Sequence, residues 1–293
     1  MSKRLASLVS VLKVNEPLKN HTTFHLGGPA DYFAEVQNRK ELLDIYNFAK
    51  KQNVSLMVLG GGSNVLVDDR GFRGIIMKLS GEFREIALDG DVLSAGCGAL
   101  TQTVLKASID KELSGLECLS GIPGTIGGAI AGNAGSKDSW IGDAVISVEV
   151  LNEEGKILEI PKEKIKFGYR SSGLNNNILL KAKLNLKKSL KNDIFTKVER
   201  YASSREQTQP LGSWNAGCIF KNPDGGIAGR LIDECGLKGL SFGGAKVSEK
   251  HANFILNVDN AKSSDVFELM KIIRSKVKEK FNINLELEIK IIK

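Results

Sequence analysis

The sequence lacks a long hydrophobic run and a leader-like start, and both absences bear on where the protein works. No apolar stretch reaches the roughly 18 residues that a membrane-spanning helix requires. The start of the chain shows no apolar core followed by a small-residue cleavage site, so we expect no signal peptide and a cytoplasmic location. Apolar residues make up 42% and charged residues 26% of the 293 residues. This composition excludes wholesale disorder, and the length favours two or three domains over one.

The cysteines and histidines form no metal-binding pattern. Cys97, Cys118, Cys218 and Cys235 include no C-x-x-C pair, and the three histidines do not join them at zinc spacing. We therefore expect no structural metal. In a reducing cytoplasm the cysteines are separate thiols, each of which is either a buried apolar group or a reactive one.

The net charge of +7 comes from 41 Lys and Arg residues against 34 Asp and Glu residues. The basic residues are scattered, and the densest block, at 181–191, is interleaved with leucines. This distribution favours a solvated basic surface over a nucleic-acid interface. We expect small-molecule ligands, neither a nucleic acid nor a membrane as a partner, and a monomer.

Helix and strand patterns indicate an α+β protein whose character changes near residue 187. Residues 1–187 are rich in strands, and residues 188–293 form a smaller α+β region. A cleft between two such regions is where we expect a ligand to bind. Apolar spacing predicts helices at 41–51, 100–113, 190–203, 227–235 and 263–281. It predicts strands at 54–59, 65–67, 75–79, 83–88, 92–95, 145–151, 156–160, 178–186, 253–258 and 283–292.

A run of glycines follows the predicted strand at 54–59. Gly60, Gly61 and Gly62 lead into Ser63 and Asn64. Glycines after a buried strand let backbone N–H groups approach an anion without obstruction by side chains. The run is neither a Walker A loop nor a G-x-G-x-x-G motif, because no Gly-Lys-Ser/Thr follows and a valine takes the place of the last glycine. By itself it indicates an anion-binding loop or a tight turn.

A second glycine-rich segment occupies residues 120–135. Its six glycines lie among small residues, which provide little side-chain surface for a core. Ordering such a backbone costs conformational entropy, so we expect a bound group to stabilise it. A cofactor with a pyrophosphate suits that requirement, and a close contact between a small-residue helix and a sheet is the alternative.

Three further positions carry side chains suited to chemistry. Arg170 follows Tyr169 and is either a carboxylate or phosphate ligand or a surface arginine. Cys218 is either a core residue or a proton donor, since a free thiol is largely protonated near neutral pH. Glu286 and Glu288 share the polar face of the last predicted strand, and periodicity does not choose between them.

The order and spacing of these segments resemble those of the UDP-N-acetylenolpyruvoylglucosamine reductases, flavin enzymes that form UDP-N-acetylmuramate for peptidoglycan. The similarity covers nearly the whole chain, and its length and compact middle are similar to the shorter subtype that lacks an extra substrate-covering loop. The matching segments are 21–30, 59–67, 121–135, 168–172, 216–223 and 285–292.

The resemblance implies a fold and an activity. The fold is α+β, with an FAD-binding region of the vanillyl-alcohol-oxidase-like (PCMH) type in two subdomains, at about 1–74 and 75–187, and a C-terminal substrate-binding domain at 188–293. The activity is NADPH-dependent reduction of UDP-N-acetylglucosamine enolpyruvate, which serves cell-wall formation, cell shape and cell division. Flavin N5 would give a hydride to C3 of the enolpyruvyl group, and a side chain would protonate C2.

The resemblance also implies roles for individual residues. Arg170 and Glu288 match the arginine and the acid that act on developing negative charge, and Cys218 matches the proton donor. The positions matched to FAD binding are Gly60, Gly61, Gly62, Ser63, Asn64, Gly121, Pro123, Gly124, Thr125, Gly127, Gly128, Asn133 and Gly135. The positions matched to the nucleotide substrate, some of which we expect to be structural, are Tyr169, Arg205, Gln209, Lys221, Asn222 and Asn253.

Two positions depart from the family pattern. Cys218 stands where the family usually has a serine. A thiol is more acidic than a hydroxyl, so we expect proton delivery to be retained. His25 stands where an arginine is common, so no cofactor contact is assigned to it.

Two other functions agree with parts of the sequence. An FAD-dependent sugar or alcohol oxidase of the same cofactor fold would not need Arg170, Cys218 and Glu288 together. A nucleotide-binding module without catalysis agrees with the charge of +7. Flavin absorbance distinguishes the binding module from both enzymes.

Overall fold

The chain folds into two units, described by a computed structural model that covers residues 5–136 and 138–293. We call residues 5–14, 32–61 and 75–205 the larger unit, and residues 15–31, 62–74 and 206–293 the smaller unit. The smaller unit thus includes two segments from the N-terminal part of the chain, and the larger unit extends to residue 205. The functional domains inferred from the sequence, divided near residue 187, remain a prediction.

The long helices agree with the apolar spacing of the sequence. The last begins at Ser263 and ends at Phe281, as predicted. Val266, Leu269 and Ile273 form its buried stripe. No helix of the described residues is both long and apolar enough to cross a membrane. The helices α1 to α7 are Arg39–Gln52, Thr101–Asp110, Ile126–Ala131, Ile141–Ala144, Lys191–Thr208, Ala228–Glu234 and Ser263–Phe281.

The strands are short and, in several places, shorter than predicted. In chain order β1 to β9 are Val11–Pro17, Pro29–Val36, Leu56–Val58, Val65–Val67, Phe72–Leu79, Ile86–Asp89, Val92–Gly96, Leu113–Ser114 and Gly135–Ser136. Strands β10 to β18 are Ser139–Trp140, Val145–Leu151, Ile157–Pro161, Ile178–Asn185, Lys187–Lys188, Ser241–Phe242, Ala245–Val247, Ile255–Asn257 and Lys290–Ile292.

Two sheets organise the larger unit. The first, lying mostly in this unit, has the order β1-β2-β5-β3, with β3 and β5 parallel. Helix α1 buries Leu42 and Ile45 in the core of this sheet. The second sheet has the order β12-β11-β13-β7-β6 and is antiparallel throughout. Val104 of α2 and Ile130 of α3 share a core with Val148 of its strand β11.

The smaller unit joins distant parts of the sequence. Strand β18 pairs in parallel with β4, so that Ile291 lies opposite Leu66. The sheet β15-β16-β17 shares one apolar core with α6, α7 and Leu66. Local periodicity does not report a pairing between residues so far apart, which explains why the sequence did not place 62–74 with the C-terminal region.

Two predicted strands are wrong in part. Of the predicted strand 83–88, only the end belongs to β6, because Gly81–Arg84 forms a 3₁₀ helix. Of the predicted strand 283–292, only β18 is a strand. Glu286 and Glu288 instead form backbone hydrogen bonds with Lys221 and Ile219, so that residues 286–288 run antiparallel to residues 219–221 as an isolated β-bridge.

Asp69 caps helix α7 from a distant point in the sequence. Its two carboxylate oxygens accept hydrogen bonds from the N–H groups of Ser263 at 2.7 Å and Ser264 at 3.1 Å. Its own N–H donates to Oγ of Ser263 at 2.8 Å. The first-turn donors of the helix are thereby satisfied by another segment of the smaller unit.

We predict that Asp69→Ala lowers the free energy of unfolding by about 1 kcal/mol, because two helix N–H groups lose an anionic acceptor. Urea unfolding followed by circular dichroism measures this loss. The matched control is Asp44→Ala, which removes only an exposed i,i+4 ion pair with Lys40 and should leave the midpoint nearly unchanged. Equal shifts for the two variants would contradict the capping role.

Candidate active site

The two glycine-rich segments lie against each other in the larger unit. A Cβ atom at Gly61 would lie 2.6 Å from the Cα atom of Gly124, and one at Gly60 would lie 2.7 Å from Oγ1 of Thr125. Both distances are too short for a Cβ atom, so the close approach of the two segments requires glycine at these positions. Thr125 then caps α3, accepting the N–H of Gly128 at 3.3 Å.

Backbone donors along this contact fit an anionic group. Within the described part of the larger unit, the N–H groups of Gly60, Gly61, Gly124 and Thr125 donate to no backbone carbonyl. Donors on glycine-rich backbone are what pyrophosphate oxygens require. The residues present therefore fit the pyrophosphate of a dinucleotide cofactor.

Other glycines of the second segment serve backbone packing. A Cβ atom at Gly127 would lie 3.0 Å from Cβ of Cys97, and its N–H donates to the Cys97 carbonyl at 2.9 Å. A Cβ atom at Gly135 would lie 2.3 Å from the Ser139 carbonyl oxygen, across the β9–β10 pair. The segment thus makes the close small-residue contact that was one of the two alternatives, and the cofactor-binding role of its residues remains a prediction.

Arg170 lies at the tip of a tight turn in the larger unit. The backbone groups of Gly168 and Ser171 exchange hydrogen bonds of 2.9 and 3.3 Å around it, and Arg170 has a left-handed φ of 54°. The buried amide of Asn133 donates to the Gly168 carbonyl at 3.1 Å and accepts the Gly142 N–H at 3.1 Å. Asn133, predicted to bind the cofactor, therefore links the glycine-rich segment to the Arg170 turn.

Arg205 binds the carbonyls of the glycine-rich segment. Its guanidinium donates to the carbonyl oxygens of Ser120, Cys118 at 3.0 Å and Gly135 at 3.5 Å. Burial, more than the nearby charge of Arg170, lowers the pKa of Arg205 from its usual value. Arg205, which the sequence predicts to contact the nucleotide, therefore bonds to the glycine-rich segment that is predicted to bind FAD.

Cys218 and Glu288 lie on neighbouring segments of the smaller unit, residues 218–221 and 286–288. We call these the Cys218 segment and the Glu288 segment. The Glu288 N–H donates to the Ile219 carbonyl at 2.8 Å, and Phe220 and Leu287 form a bridge. Cys218 is half-buried, after Gly217, whose left-handed φ is 77°. The backbone segments that carry two of the three predicted catalytic residues therefore adjoin. Arg170 belongs to the larger unit, and the convergence of the three side chains remains a prediction.

The structure distinguishes the two acidic residues that periodicity left equivalent. Glu286 is 76% exposed and pairs with Lys221 at 3.3 Å. Glu288 is half-buried, beside the Cys218 segment.

The other cysteines differ from Cys218 in their surroundings. Cys97 and Cys118 are buried, and burial raises the pKa of both thiols above the usual value. Cys235 is partly exposed at the end of α6, and desolvation raises its pKa as well. Their positions indicate packing roles.

The remaining predicted residues of the smaller unit have identifiable contacts. Asn64 accepts the Lys290 N–H at 3.0 Å through its carbonyl, and Asn222 accepts the Ala228 N–H at 2.9 Å through its side chain at the start of α6. Gln209 is half-buried. Both amide atoms of Asn253 bond to the backbone of Phe220.

Thr22 is a candidate that sequence reasoning missed. Its buried hydroxyl has no hydrogen-bond partner within the described residues, which makes it a candidate contact for a bound molecule or an ordered water. A Cβ atom at Gly62 would lie 2.7 Å from the Cα atom of Thr22, so the two residues adjoin in the smaller unit. Thr22 belongs to a segment that resembled the family, yet no periodic pattern singles out its hydroxyl.

Comparison with known families identifies the class of protein first. A family model described as an FAD binding domain matches residues 30–161, and the chain is accordingly a flavoprotein that binds FAD. A second model, described as the C-terminal domain of UDP-N-acetylenolpyruvoylglucosamine reductase, matches residues 209–292.

Relatives extend this match over nearly the whole chain. UDP-N-acetylenolpyruvoylglucosamine reductase of Caldanaerobacter subterraneus subsp. tengcongensis is 43% identical over 96% of this chain and 93% of its own length. The protein of that name from Clostridioides difficile is 39% identical with the same coverage. The chain therefore belongs to the UDP-N-acetylenolpyruvoylglucosamine reductase family and is an FAD-dependent oxidoreductase, which confirms the resemblance found in the sequence.

Solved structures support the assignment of the family and the fold. The crystal structure of UDP-N-acetylenolpyruvylglucosamine reductase from Thermus caldophilus superposes with a TM-score of 0.84 and 38% identity, covering 97% of this chain and 98% of that one. Alkyldihydroxyacetonephosphate synthase, 18% identical, has a TM-score of 0.51 over 64% of this chain and shares the fold alone. The predicted fold class, α+β with an FAD-binding region, is confirmed.

We predict that Arg205→Ala weakens FAD binding about tenfold or more, because the carbonyls of residues 118, 120 and 135 lose a shared charged donor and the glycine-rich segment loosens. Lysine should not restore binding, since a single ammonium lacks the planar fork that reaches several acceptors. Fluorescence titration of the apoprotein with FAD gives the dissociation constant.

The control for this prediction is Arg200→Ala on the same helix. The side chain of Arg200 is 62% exposed and forms a long ion pair of 3.9 Å with the exposed Asp138, so FAD affinity should stay within about twofold of the native value. An Arg205→Ala variant with native FAD affinity and impaired nucleotide binding would instead support direct substrate contact.

Proposed function

We propose that this chain reduces UDP-N-acetylglucosamine enolpyruvate to UDP-N-acetylmuramate in peptidoglycan precursor synthesis, with bound FAD and with NADPH as the reductant. Family membership over 96% of the chain supports the substrate class. One geometric observation carries the mechanism: the 2.8 Å hydrogen bond from the Glu288 N–H to the Ile219 carbonyl places the Cys218 and Glu288 segments side by side. A thiol and a carboxyl group on adjacent segments provide acid–base groups for one reaction centre.

The reaction adds a hydride and a proton across the enolpyruvyl double bond and oxidises NADPH to NADP⁺. FAD, which the backbone N–H groups of Gly60, Gly61, Gly124 and Thr125 would hold, would supply hydride transfer from NADPH to C3 of the enolpyruvyl group. Cys218 holds the proton that C2 receives, and solvent then restores the thiol. Because this thiol is partly exposed, it can reach both the substrate that takes its proton and the solvent that replaces the proton.

Negative charge develops toward the substrate carboxylate during the reaction, and we assign its stabilisation to Arg170 and Glu288. A fixed donor at such a charge lowers the barrier by about 3 kcal/mol. The turn that carries Arg170 is held by the Asn133 amide, and its left-handed backbone is of the kind that surrounding structure maintains at functional sites. Glu288 serves as a protonated acid or orients a water molecule.

The predicted substrate-binding residues divide by their contacts. Tyr169 is 47% exposed and the side chain of Lys221 37% exposed, and we assign both to the nucleotide, together with Gln209. Arg205 and Asn222 bind backbone groups through their side chains, and we assign them to shaping the site.

We also propose that the enzyme works as a monomer in the cytoplasm, without nucleic-acid or membrane partners. The support is chemical, since NADPH and nucleotide-linked sugars are cytoplasmic metabolites. Both partners of the reaction are small anionic molecules, which agrees with the net charge of +7.

An anaerobic two-step absorbance assay of the purified holoenzyme tests the proposed reaction. NADPH should bleach the flavin band, and UDP-N-acetylglucosamine enolpyruvate should then restore it. A band that returns with oxygen but not with the nucleotide would indicate an oxidase. A protein with no flavin band, even after incubation with FAD, would be a binding module.

In the same assay we predict that Cys218→Ser keeps substantial turnover, because a hydroxyl can deliver the proton from the same position. Cys218→Ala should slow reoxidation by the nucleotide about a hundredfold or more, the usual contribution of a positioned acid. Flavin reduction by NADPH should be unchanged in both variants. Cys235→Ala, at another partly exposed thiol, is the control, and an alanine variant at 218 with near-native reoxidation would remove Cys218 from the mechanism.

A further inference from the structure

Asn253 holds the backbone of the Cys218 segment from one side. The residue is 3% exposed, its Oδ1 accepts the Phe220 N–H at 3.0 Å, and its Nδ2 donates to the Phe220 carbonyl at 2.8 Å. Its own carbonyl accepts the Ile219 N–H at 2.8 Å. Three hydrogen bonds from one residue therefore fix the two residues that follow Cys218.

The Glu288 segment is bonded to the other side of the same backbone. The Ile219 carbonyl accepts the Glu288 N–H at 2.8 Å, and the Lys221 N–H donates to the Glu286 carbonyl at 2.8 Å. Ile219 thus bonds to Asn253 through its N–H and to Glu288 through its carbonyl. Displacing the segment on the Asn253 side shifts the backbone that supports both acid–base groups.

The chemistry of the contact explains why an amide is suited to it. Phe220 presents one donor and one acceptor, and a carboxamide offers one of each in a single plane. An ionised carboxylate offers two acceptors and would place one against the Phe220 carbonyl. A protonated carboxyl group, which has nearly the same shape, would restore the donor.

We propose that Asn253 is a positioning residue for proton delivery: it fixes the backbone that carries Cys218 and, through Ile219, the backbone of Glu288. The inference rests on the proposed function, and it replaces the expectation that Asn253 binds the nucleotide. Its effect is selective, because only the step that uses Cys218 depends on this alignment. Flavin reduction by NADPH does not depend on it, and affinity for the enolpyruvyl nucleotide depends on it less, through Lys221 alone.

The test is Asn253→Asp in the holoenzyme, studied by stopped-flow absorbance across a range of pH. The carboxyl group introduced at this buried site should titrate above its ordinary value of about 3.9. We expect the rate constant for flavin reoxidation by the nucleotide to approach the native value at the acid end. It should fall about tenfold or more relative to the native enzyme as the carboxyl ionises, with a smaller change in the nucleotide dissociation constant.

Asn257→Asp is the matched control. Asn257 is 6% exposed, and its amide also bonds to backbone, donating to the Phe24 carbonyl at 3.0 Å and accepting the Ala261 N–H at 2.9 Å. It should lose comparable thermal stability without a new pH dependence of reoxidation. If Asn253→Asp yields no folded holoenzyme, Asn253→Ser replaces it and should slow reoxidation about tenfold at every pH.

Amide hydrogen exchange of the same holoenzymes gives a readout that does not depend on turnover. Peptides covering 218–221 and 286–288 should exchange faster in the Asn253 variant and not in the Asn257 variant. A native reoxidation rate and pH profile at position 253, or a loss confined to nucleotide affinity, would overturn the proposal. Native reoxidation in Cys218→Ala would instead defeat the proposed donor, and the exchange data would still decide whether Asn253 holds the two segments.

Discussion

Both units depend on hydrogen-bond partners for the backbone N–H and carbonyl groups that lie outside the β-sheets. The candidate site residues lie mainly on turns and loops, whose buried N–H and carbonyl groups need partners. Polar side chains provide these partners: Arg205 for the glycine-rich segment, Asn133 for the Arg170 turn, Asn253 for the Cys218 segment and Asp69 for the start of α7. The cost of an unsatisfied buried group, about 1–3 kcal/mol, gives each of these side chains leverage over the geometry of its loop.

Much of the fold could be predicted from the sequence. Helix α7 was placed to the residue, since its apolar stripe and its charged end are local signals. The strand β18 and the segment 286–288 could not be separated, because what divides them is a choice of partner, β4 for one and residues 219–221 for the other. Alternation reports which side chains are apolar and says nothing about which distant backbone they meet.

In the candidate site, too, local sequence signals predict some features, and others depend on distant partners. The types and order of the residues single out the glycine runs, Arg170, Cys218 and Glu288, and in the structure the segments that carry Cys218 and Glu288 adjoin. The roles of Arg205, Asn133 and Asn253 could not be predicted, because their acceptors are main-chain carbonyls, which every residue has. The hydroxyl of Thr22 escaped notice for a similar reason, since burial without a partner is visible only in three dimensions.

The parallel pairing of β4 with β18 has a consequence for biosynthesis. Residues 65–67 leave the ribosome long before residues 290–292, so Leu66 must wait for its partner strand while the chain between them is made. The larger unit extends only to residue 205, so its sequence is complete before most of residues 206–293 of the smaller unit have been made. The smaller unit therefore closes last during translation, and until then its early segments are the part of the nascent chain most in need of a chaperone.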